Sequence, residues 1–426
     1  MSRWLNAGLA ILLVFGILPV VSVQAETNPC VFSGVDENGA SYYISLPFNP
    51  YLGQCVYDAD LMVFAHGYVA VNKPLAIPWD QMTFVNPADP TTFLYLPDIV
   101  NGMGYAFATT SYRVNGLAVQ EGVEDIINLI AMYGNIGTPA HVYLVGASEG
   151  GLVTTLALER RPDVFSGGMA MCGPIGSFTK QVNYWGDFRV VFDYFMDTPD
   201  FDVLPGNASN IPASLINKWD SVYYPRIAGV LGMNPLAVPQ LFAVTGAPIF
   251  SDPNTFGPTS LGILWYNVFA TNDAVDKLGG RPFDNFDRVY SDPLNPALDA
   301  FINAGVKRFK AQPAALEEIA NFYETAGNLL RPMVTIHTTG DPIVPVWHQT
   351  LYTGKVPGVF PSFPYIPITV DRYGHCNFTL DEIQSAFGQL VGMVMYGATP
   401  TAMPMRTLDA GESLQQVDGT YVYDYR

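Results

Sequence analysis

Short, almost uninterrupted apolar runs constrain most strongly what this chain can fold into. Three of them, at 60–65, 105–110 and 141–145, stop where glycine or polar residues begin. A strand that is covered on both faces needs such a run, because all of its side chains then face the core. Residues 120–133 follow the second run and carry apolar residues at helical spacing. Strands that alternate with helices predict an α/β fold with a mostly parallel sheet.

The alternation is interrupted once, by a long segment at 173–330. This segment is rich in aromatic residues, proline, asparagine and aspartate, and it is too long for a simple loop. The other predicted elements are strands at 42–46, 168–172, 333–337 and 368–370 and a closing amphipathic helix at 379–395. The predicted parts of the chain are a signal segment at 1–25, a core at 26–172, a lid at 173–330, the rest of the core at 331–398 and a tail at 399–426.

The signal segment at the N-terminus predicts export. Arg3 supplies a positive charge, an apolar stretch follows at about 7–21, and Val23-Gln24-Ala25 has the small-x-Ala form of a signal-peptidase site. We expect cleavage after Ala25, a secreted or periplasmic protein, and no stable membrane insertion after cleavage. An uncleaved membrane anchor is the alternative, which Pro19 and the short run disfavour.

The composition excludes several classes of protein. The chain has 38 acidic residues against 20 Lys and Arg, and its formal net charge is −18. Such a surface repels phosphate backbones, so no nucleic-acid partner is expected. Because 49% of the residues are apolar, a disordered chain is excluded. The sequence leaves the oligomeric state open.

The cysteines support an oxidising compartment. An even number follows the signal segment, at Cys30, Cys55, Cys172 and Cys376. In an exported protein this predicts two disulfides, and four cysteines allow three ways of pairing.

The segment Gly146-Ala147-Ser148-Glu149-Gly150 matches the pattern G-x-S-x-G between a predicted strand and a predicted helix. In that setting the serine is a candidate nucleophile on a sharp strand-to-helix turn. Gly146 and Gly150 leave room where strand and helix crowd together. A plain glycine-rich turn is the alternative interpretation. We predict Ser148 as the nucleophile.

The segment His66-Gly67-Tyr68 ends an earlier buried strand and predicts an oxyanion loop. An oxyanion hole takes one N–H from the residue after the nucleophile, here Glu149, and another from such a loop. Gly67 permits close approach of the backbone, and Tyr68 is the expected second donor. His66 could instead act as a base, but its place before the nucleophile strand favours a role in shaping the loop.

An acid and a base are predicted after the last two strands. Asp341 lies in Gly340-Asp341-Pro342 and His375 lies in Gly374-His375-Cys376. The order Ser148, Asp341, His375 is the one expected for a nucleophile, an acid and a base on this kind of sheet. Histidine can take and return the serine proton near neutral pH, and the aspartate would fix its tautomer. Asp371 is the rival acid.

The remaining polar groups suggest no cofactor. We expect structural roles for His141 at the start of a strand, His337 in a strand and His348 at the start of a helix. A calcium site is possible where four aspartates crowd one stretch, although their spacing does not fit an EF-hand loop. These residues are Asp273, Asp276, Asp284 and Asp287.

Together these motifs resemble the α/β-hydrolase superfamily, especially secreted bacterial esterases and serine peptidases of the same fold. The resemblance covers 60–175 and 332–395. It implies Ser148 as nucleophile, His375 as base and Asp341 as acid. It also implies oxyanion donors at Tyr68 and Glu149.

The segment Gly374-His375-Cys376 is also similar to the tannase and feruloyl esterase family. That family places one cysteine before the nucleophile and bridges it to another after the histidine. Here Ala147 precedes Ser148, so that motif is broken. The resemblance still suggests a bridge from Cys376 to Cys172, at the end of the strand beside the nucleophile strand, which leaves Cys30 to pair with Cys55.

The expected function is a secreted serine hydrolase that cleaves carboxylic esters through an acyl-enzyme, on a small-molecule or polymer substrate. Aromatic residues in the predicted lid favour an apolar or aromatic substrate group, or else they form a core of their own. They are Trp185, Phe192, Tyr194, Phe195 and Trp219. Acidic residues in the same segment could instead attract a basic substrate, as in a peptidase. They are Asp187, Asp193 and Asp197. A lipase acting at lipid surfaces and a binding protein without catalysis are further alternatives.

Overall fold

The computed structural model describes residues 29–86, 89–198, 200–249, 252–360 and 362–396. The predicted signal segment and the predicted tail lie outside these ranges. Within them, no single helix is long and apolar enough to cross a membrane, and only one sharply bent pair of helices passes the same test together.

Twelve strands occur in the described ranges. They are β1 Val31–Val35, β2 Ser41–Ser45, β3 Phe48–Asn49, β4 Gln54–Cys55, β5 Leu61–Ala65, β6 Thr83–Val85, β7 Phe93–Tyr95, β8 Ala106–Thr110, β9 Val142–Ala147, β10 Gly167–Met171, β11 Met333–Gly340 and β12 Tyr365–Tyr373. Eight of them form one sheet in the order β1-β2-β8-β5-β9-β10-β11-β12.

The α-helices of the described ranges lie between and after these strands. They are α1 Leu96–Gly102, α2 Val119–Tyr133, α3 Glu149–Arg160, α4 Phe178–Met196, α5 Ala213–Asn217, α6 Tyr224–Met233, α7 Ala237–Thr245, α8 Phe256–Lys277, α9 Asp299–Gly305, α10 Pro313–Phe322, α11 Trp347–Lys355 and α12 Leu380–Tyr396.

The sheet is parallel from β8 to β12, and only β1 and β2 at one edge are antiparallel. This confirms the predicted α/β fold with a mostly parallel sheet. Every strand predicted from an apolar run is present. Strand β1 was not predicted, because its side chains are half-buried or exposed and it therefore has no continuous apolar run.

Helices cover both faces of the sheet, which explains the uninterrupted apolar runs. In β5, Leu61 and Val63 pack in the cluster that includes α2 and α3. Their neighbours Met62 and Phe64 pack in the cluster that includes α1 and α12. Successive side chains of a strand point to opposite faces, so burial on both sides makes every position apolar.

Residues 173–330, called the insertion here, connect β10 to β11 and contain α4 to α10. The insertion has its own apolar core, in which Phe192 and Trp219 are buried. Tyr194 and Phe195 pack partly against this core. Trp185 also packs partly against this core. The alternative weighed for these aromatic residues therefore applies to all five, and Trp185 in addition lines a pocket that is described below.

The turn between β9 and α3 needs glycine on both sides. A Cβ added at Gly146 would lie 2.1 Å from the carbonyl oxygen of Gly150. A Cβ added at Gly150 would lie 2.0 Å from the carbonyl oxygen of Ala65 in β5. Both contacts are with backbone, which cannot move aside cheaply. The strand and the helix can approach this closely only without these side chains.

We predict that Gly150→Ala lowers the free energy of unfolding by about 3 kcal/mol or more, because the added methyl group overpacks the turn. Gly229→Ala in α6 is the matched control, since a Cβ there meets nothing within 4 Å. The control should stabilise the protein slightly, because alanine favours a helix by up to about 1 kcal/mol. Urea unfolding of both variants measures the effect, and similar losses in both would contradict the prediction.

Candidate active site

Ser148 occupies the sharp turn between β9 and α3 in a strained conformation. Its φ of 56° and ψ of −121° lie in a region that residues with a side chain rarely adopt. Its N–H donates to the carbonyl oxygen of Met171 in β10 at 2.9 Å, which fixes the turn. The side chain is 4% exposed. The structure thus has a sharp strand-to-helix turn at the position where the sequence predicts one.

Ser148, His375 and Asp341 lie in one hydrogen-bonded chain. Nε2 of His375 is 2.8 Å from Oγ of Ser148, and Nδ1 of His375 is 2.7 Å from Oδ2 of Asp341. All three side chains are buried. An ionised carboxylate only accepts hydrogen bonds, so Nδ1 carries the proton and donates to Asp341. Nε2 then carries a lone pair, which can accept the hydroxyl proton of Ser148.

The loop after β11 holds the carboxylate of Asp341. Its Oδ1 accepts the N–H groups of Ile343 at 2.9 Å and Val344 at 3.0 Å. Burial alone would raise the pKa of Asp341, but the charge of His375 and hydrogen bonds from His337 and His375 outweigh it and lower the pKa to about 2. The carboxylate is therefore ionised at neutral pH.

The rival acid Asp371 is placed differently. It is exposed near the end of β12, and its Oδ1 accepts the hydroxyl of Thr339 at 2.8 Å. The structure thus brings Asp341, and not Asp371, into contact with His375.

The loop that carries His375 is tied to two strands. Cys376 is bonded to Cys172, which directly follows β10, and Cys30 is bonded to Cys55. These are the two pairs suggested above. The carbonyl oxygen of Gly374 accepts the hydroxyl of Thr338 at 2.6 Å. The disulfide on one side of His375 and the hydrogen bond at Gly374 on the other hold the backbone of His375 in place. Its ring therefore has little freedom to turn away.

The backbone of His66-Gly67-Tyr68 is positioned by Gln81. Its Oε1 accepts the N–H of Gly67 at 2.7 Å, and its Nε2 donates to the carbonyl oxygen of Tyr68 at 3.3 Å. The N–H groups of Tyr68 and Glu149 have no protein acceptor among the residues described. Gln81 thus occupies the N–H of Gly67, whereas that of Tyr68 stays without a protein acceptor in the described part of the chain. Gln81 was not predicted, because it lies in a short 3₁₀ helix, Trp79–Met82, that carries no motif.

The side chain of His66 contacts its own loop and Tyr112. Its Nδ1 donates to the carbonyl oxygen of Gly67 at 2.7 Å, and its ring stacks on Tyr112 with centroids 3.9 Å apart. Burial lowers the pKa of His66 to about 4, so the ring is neutral at neutral pH. This placement agrees with the preferred role in shaping the loop.

The side chain of Glu149 is buried beside the nucleophile. Its Oε1 accepts the N–H of Ala118 at 3.2 Å. Burial raises the pKa of Glu149 to about 8, against the lowering effects of this hydrogen bond and of Lys277. At neutral pH the group is a neutral carboxylic acid, so it adds no charge to the site.

A pocket with mostly apolar walls opens beside Ser148, between the sheet core and the insertion. It encloses about 810 Å³ of empty space, its open mouth included. Of the five aromatic residues that the sequence suggests for substrate contact, Trp185 lines this pocket. The other aromatic side chains of the wall are Tyr68, Phe178, Tyr266 and Phe283. A pocket of this size and lining suits a largely apolar small molecule.

The insertion is hydrogen-bonded to the loops of the site. Tyr184 donates to the carbonyl oxygen of Pro342 at 2.8 Å, and Trp185 donates to that of Ile343 at 3.1 Å. On the other side of the pocket, Tyr68 donates to the carbonyl oxygen of Phe269 in α8 at 3.0 Å. The insertion thus supports two loops. One is the loop after β11 at 341–346, called the acid loop here, and the other is the predicted oxyanion loop at 66–68.

Two further histidines support the acid loop. His337 in β11 donates through Nε2 to the carbonyl oxygen of Val344 at 2.6 Å and lies 3.5 Å from Asp341. His348 at the start of α11 donates to Gln181, whose amide donates in turn to the carbonyl oxygen of Ile343. His141 precedes β9 and contacts Asp60. The three histidines lie where the sequence predicts, and two of them act on the acid loop.

The four aspartates suggested as a calcium site do not belong to any group of three or more potential metal ligands in the described ranges. Asp273 accepts the N–H of Leu117 and pairs with Lys277, whereas Asp284 accepts the N–H groups of Phe286 and Ala311. In the described ranges, one group of three potential metal ligands comes together, at Cys172, His375 and Cys376. Its two sulfurs are bonded to each other, so it does not have the donors of a metal site.

Glu149 predicts a pH dependence of stability. Its pKa is raised on folding, so the unfolded chain loses this proton above about pH 4.5, whereas the folded chain keeps it to about pH 8. The contribution of Glu149 to stability is therefore complete below pH 4.5 and is lost as the pH rises to 8. We predict that Glu149→Gln gains stability relative to the wild type over this range.

Thermal unfolding of wild type and Glu149→Gln between pH 4 and pH 9 tests this prediction. Glu317→Gln, which changes an exposed carboxylate on α10, is the control and should follow the wild type. A constant difference between Glu149→Gln and wild type at every pH would show that the buried carboxyl does not titrate as stated.

No protein-family model matches the chain, and no curated protein matches it. Several solved structures are similar at low sequence identity. An acylaminoacyl peptidase in complex with Z-Gly-Gly-Phe-chloromethyl ketone is 13% identical, with a TM-score of 0.37 over 81% of this chain and 37% of the peptidase. Est1E from Butyrivibrio proteoclasticus is 10% identical, with a TM-score of 0.37 over 85% of this chain and 97% of Est1E.

Puromycin hydrolase is 13% identical, with a TM-score of 0.43 over 88% of this chain and 40% of that protein. The chain thus spans less than half the length of the peptidase and of puromycin hydrolase.

The topology of the sheet defines the fold. Its strand order, the sharp turn between β9 and α3, and the order of Ser148, Asp341 and His375 along the chain give this chain the α/β-hydrolase fold.

Proposed function

We propose that this chain is a serine hydrolase that cleaves carboxylic esters with an apolar or aromatic group. One observation carries the proposal: the hydrogen-bonded chain from Ser148 through His375 to Asp341 ends at an apolar pocket. A serine whose hydroxyl contacts a histidine base is an activated nucleophile. The two disulfides are consistent with an exported protein, which supports the secreted or periplasmic location expected from the sequence.

The first half of the reaction acylates Ser148. His375 accepts the hydroxyl proton at Nε2 while Oγ attacks the ester carbonyl carbon. The negative charge that develops on the carbonyl oxygen is bound by the N–H groups of Tyr68 and Glu149. His375 then gives its proton to the leaving alkoxide, and the alcohol departs. Asp341 stays ionised throughout and stabilises the imidazolium.

The second half releases the acid. Water loses a proton to Nε2 of His375 and attacks the acyl carbon, again with the oxyanion bound by the same two N–H groups. The proton returns to Oγ of Ser148 as the acyl–oxygen bond breaks. The free enzyme and a carboxylic acid are the products.

The charges near the pocket favour an uncharged substrate group. Asp187 is engaged by Arg288 and Tyr290, and Asp193 is engaged by Arg189. Asp197 accepts the N–H of Val203. Among the described residues that line the pocket, none of these three aspartates occurs, so they do not place a negative charge in its wall. The carboxyl that does line it belongs to Glu149, which is neutral at pH 7.

We predict that the protein hydrolyses para-nitrophenyl esters of aromatic or medium-chain acids and prefers them to lysine and arginine para-nitroanilides. Each methylene buried in the pocket should help by up to about 0.8 kcal/mol, so kcat/KM should rise along a series of longer acids. Ser148→Ala should lower kcat by at least about 10³-fold without a change in fold.

A fluorophosphonate probe and mass spectrometry give the control for this experiment, since the adduct should lie on Ser148. Labelling of another residue would contradict the assigned nucleophile. A preference for basic anilides, with no gain along the ester series, would make a peptidase the better description. A protein that neither reacts with the probe nor turns over any substrate would be a binding protein.

We predict that Asp341→Asn lowers kcat on the order of 10⁴-fold while the protein still folds, because the amide nitrogen would force the wrong tautomer on His375. Asp371→Asn is the matched control. It removes a charge from an exposed residue that contacts Thr339, and it should change kcat little. Steady-state kinetics with circular dichroism of both variants makes the comparison, and the reverse ranking would transfer the role of acid to Asp371.

A further inference from the structure

The side chain of Glu149 brings a polar group to the pocket that the proposed reaction does not use. The residue lines the pocket next to Ser148 and is 8% exposed. Its Oε1 accepts the N–H of Ala118 at 3.2 Å. Its second oxygen, Oε2, has no hydrogen-bond partner in the described ranges, and it is not among the unpartnered side-chain atoms that the fold closes off completely. A molecule in the pocket can therefore reach Oε2.

The potential donors around this carboxyl are directed elsewhere. Tyr68, Tyr112 and Lys277 lie close enough to interact electrostatically with Glu149. The two tyrosine hydroxyls donate to backbone carbonyl groups. The ammonium group of Lys277 donates to another carbonyl and pairs with Asp273 at 3.2 Å. An ionised Glu149 would thus be buried with one N–H donor and no bonded cation, which favours the protonated form.

The charges near Glu149 keep its carboxyl protonated at neutral pH. Burial raises the pKa of Glu149 to about 8, against the lowering effects of the N–H of Ala118 and of Lys277. The other titratable groups that face it are the acids Glu121 and Asp273, which add to the rise, and the tyrosines Tyr68, Tyr112 and Tyr323. Because Oε1 accepts a hydrogen bond, the proton belongs on Oε2, which is then an O–H donor.

The chain places this donor beside the reacting atoms. Ser148 and Glu149 are consecutive, so their Cα atoms are about 3.8 Å apart, and both residues line the pocket. The backbone N–H of Glu149 is one of the two proposed oxyanion donors. A substrate whose ester carbonyl binds there brings the atoms next to that carbonyl close to the carboxyl of Glu149.

A substrate that fills the pocket displaces water from Oε2. If the substrate offers no acceptor, the O–H group is left unpaired in apolar surroundings, which weakens binding. An uncharged oxygen on the substrate removes this cost. A carboxylate would accept the same hydrogen bond, but it would be buried without an opposite charge, because Lys277 is already paired with Asp273.

We propose that the side chain of Glu149 determines specificity by donating a hydrogen bond to a second, uncharged oxygen of the substrate, such as an ether or a further ester carbonyl, close to the ester that is cleaved. The inference rests on the esterase function proposed above and narrows its substrate class to esters that carry such an oxygen.

An oxygen scan of the substrate measures this contact. In a series of para-nitrophenyl hexanoates an ether oxygen replaces each chain methylene in turn, and a series of alkyl butanoates carries the same replacement on the alcohol side. The ratio of kcat/KM between each ether and its all-carbon parent is compared across variants, so that the intrinsic reactivity of each ester cancels. At pH 7 we expect the ratio in the wild type to be highest at one position, called the responsive position here.

Two variants distinguish a donor from mere volume or polarity. Glu149→Met removes the donor at similar side-chain length and should lower the ratio at the responsive position about tenfold, the effect of one well-placed hydrogen bond. Glu149→Gln keeps an acceptor for the N–H of Ala118 and supplies an amide N–H donor, so it should keep the ratio. Equal losses in both variants, or no loss in either, would contradict the proposed donor.

The pH dependence of the wild type tests the donor without a substitution. Glu149 loses its proton as the pH rises through about 8, and a carboxylate cannot donate to the ether oxygen. The ratio at the responsive position should therefore fall towards that of Glu149→Met between pH 7 and pH 9. Glu149→Gln does not titrate, so its ratio should stay constant over this range. A wild-type ratio that is independent of pH would overturn the inference.

Thr271→Val is the matched control in the pocket wall. Thr271 lines the pocket on α8, but its hydroxyl already donates to the carbonyl oxygen of Asn267 in the same helix. Its removal should leave the responsive position and the ratio there as in the wild type. A loss as large as that in Glu149→Met would show that the scan reports the polarity of the wall and not a contact with Glu149.

Calorimetry of the same esters with Ser148→Ala protein separates failure of this inference from failure of the proposed function. Binding that depends on Glu149, without any hydrolysis that depends on Ser148, would leave the contact and remove the esterase. Hydrolysis that depends on Ser148, with no position in either series that responds to Glu149, would leave the esterase and overturn the inference.

Discussion

An ionised carboxylate without exposure to water organises this site. Asp341 is fully buried, and such a charge is tolerated only when every side of it finds a donor. Two backbone N–H groups of its own loop and the ring of His375 supply the contacts. The need to satisfy this one group therefore fixes the conformation of the loop after β11 and, through His375, that of the loop after β12.

The carbonyl groups of the same loop point outward to the rest of the protein. His337 binds the carbonyl of Val344, and Gln181 and Trp185 of the insertion bind that of Ile343. The insertion is thus part of the frame that holds the acid in place. A lid that swings freely would have to break these contacts on each opening. Motion confined to segments farther from the acid loop is compatible with them.

Backbone strain is concentrated at this site. The described residues other than glycine with positive φ are Tyr112, Ser148, Cys172 and Cys376. Each is held in place by a nearby bond: Tyr112 through its hydroxyl to the carbonyl of His66, Ser148 through its N–H to Met171, and the two cysteines through their disulfide. Strained residues persist where neighbouring contacts over-determine them, and such places are often functional.

The sheet, and the meeting of Ser148, Asp341 and His375 at one edge of it, could be predicted from sequence because both depend on local patterns. A strand buried on both faces shows a continuous apolar run, and a turn as tight as that of Ser148 requires glycines at fixed offsets. Gln81 could not be predicted in this way, because its amide binds the backbone of another segment of the chain and follows no local pattern. The edge strand β1 could not be predicted for a related reason, since its side chains are half-buried or exposed and need no apolar pattern.

Glu149 takes part in both the proposed oxyanion hole and the wall of the pocket. Its backbone N–H would bind the oxyanion, and its side chain closes the pocket beside the nucleophile. An ionised carboxylate at this place would lie near the developing oxyanion and oppose the charge that the N–H groups are meant to stabilise. Burial keeps the carboxyl protonated at neutral pH and so removes that opposition. The protonated carboxyl also adds no charge to a pocket wall that is mostly apolar, so the condition that favours the oxyanion also favours an uncharged substrate group.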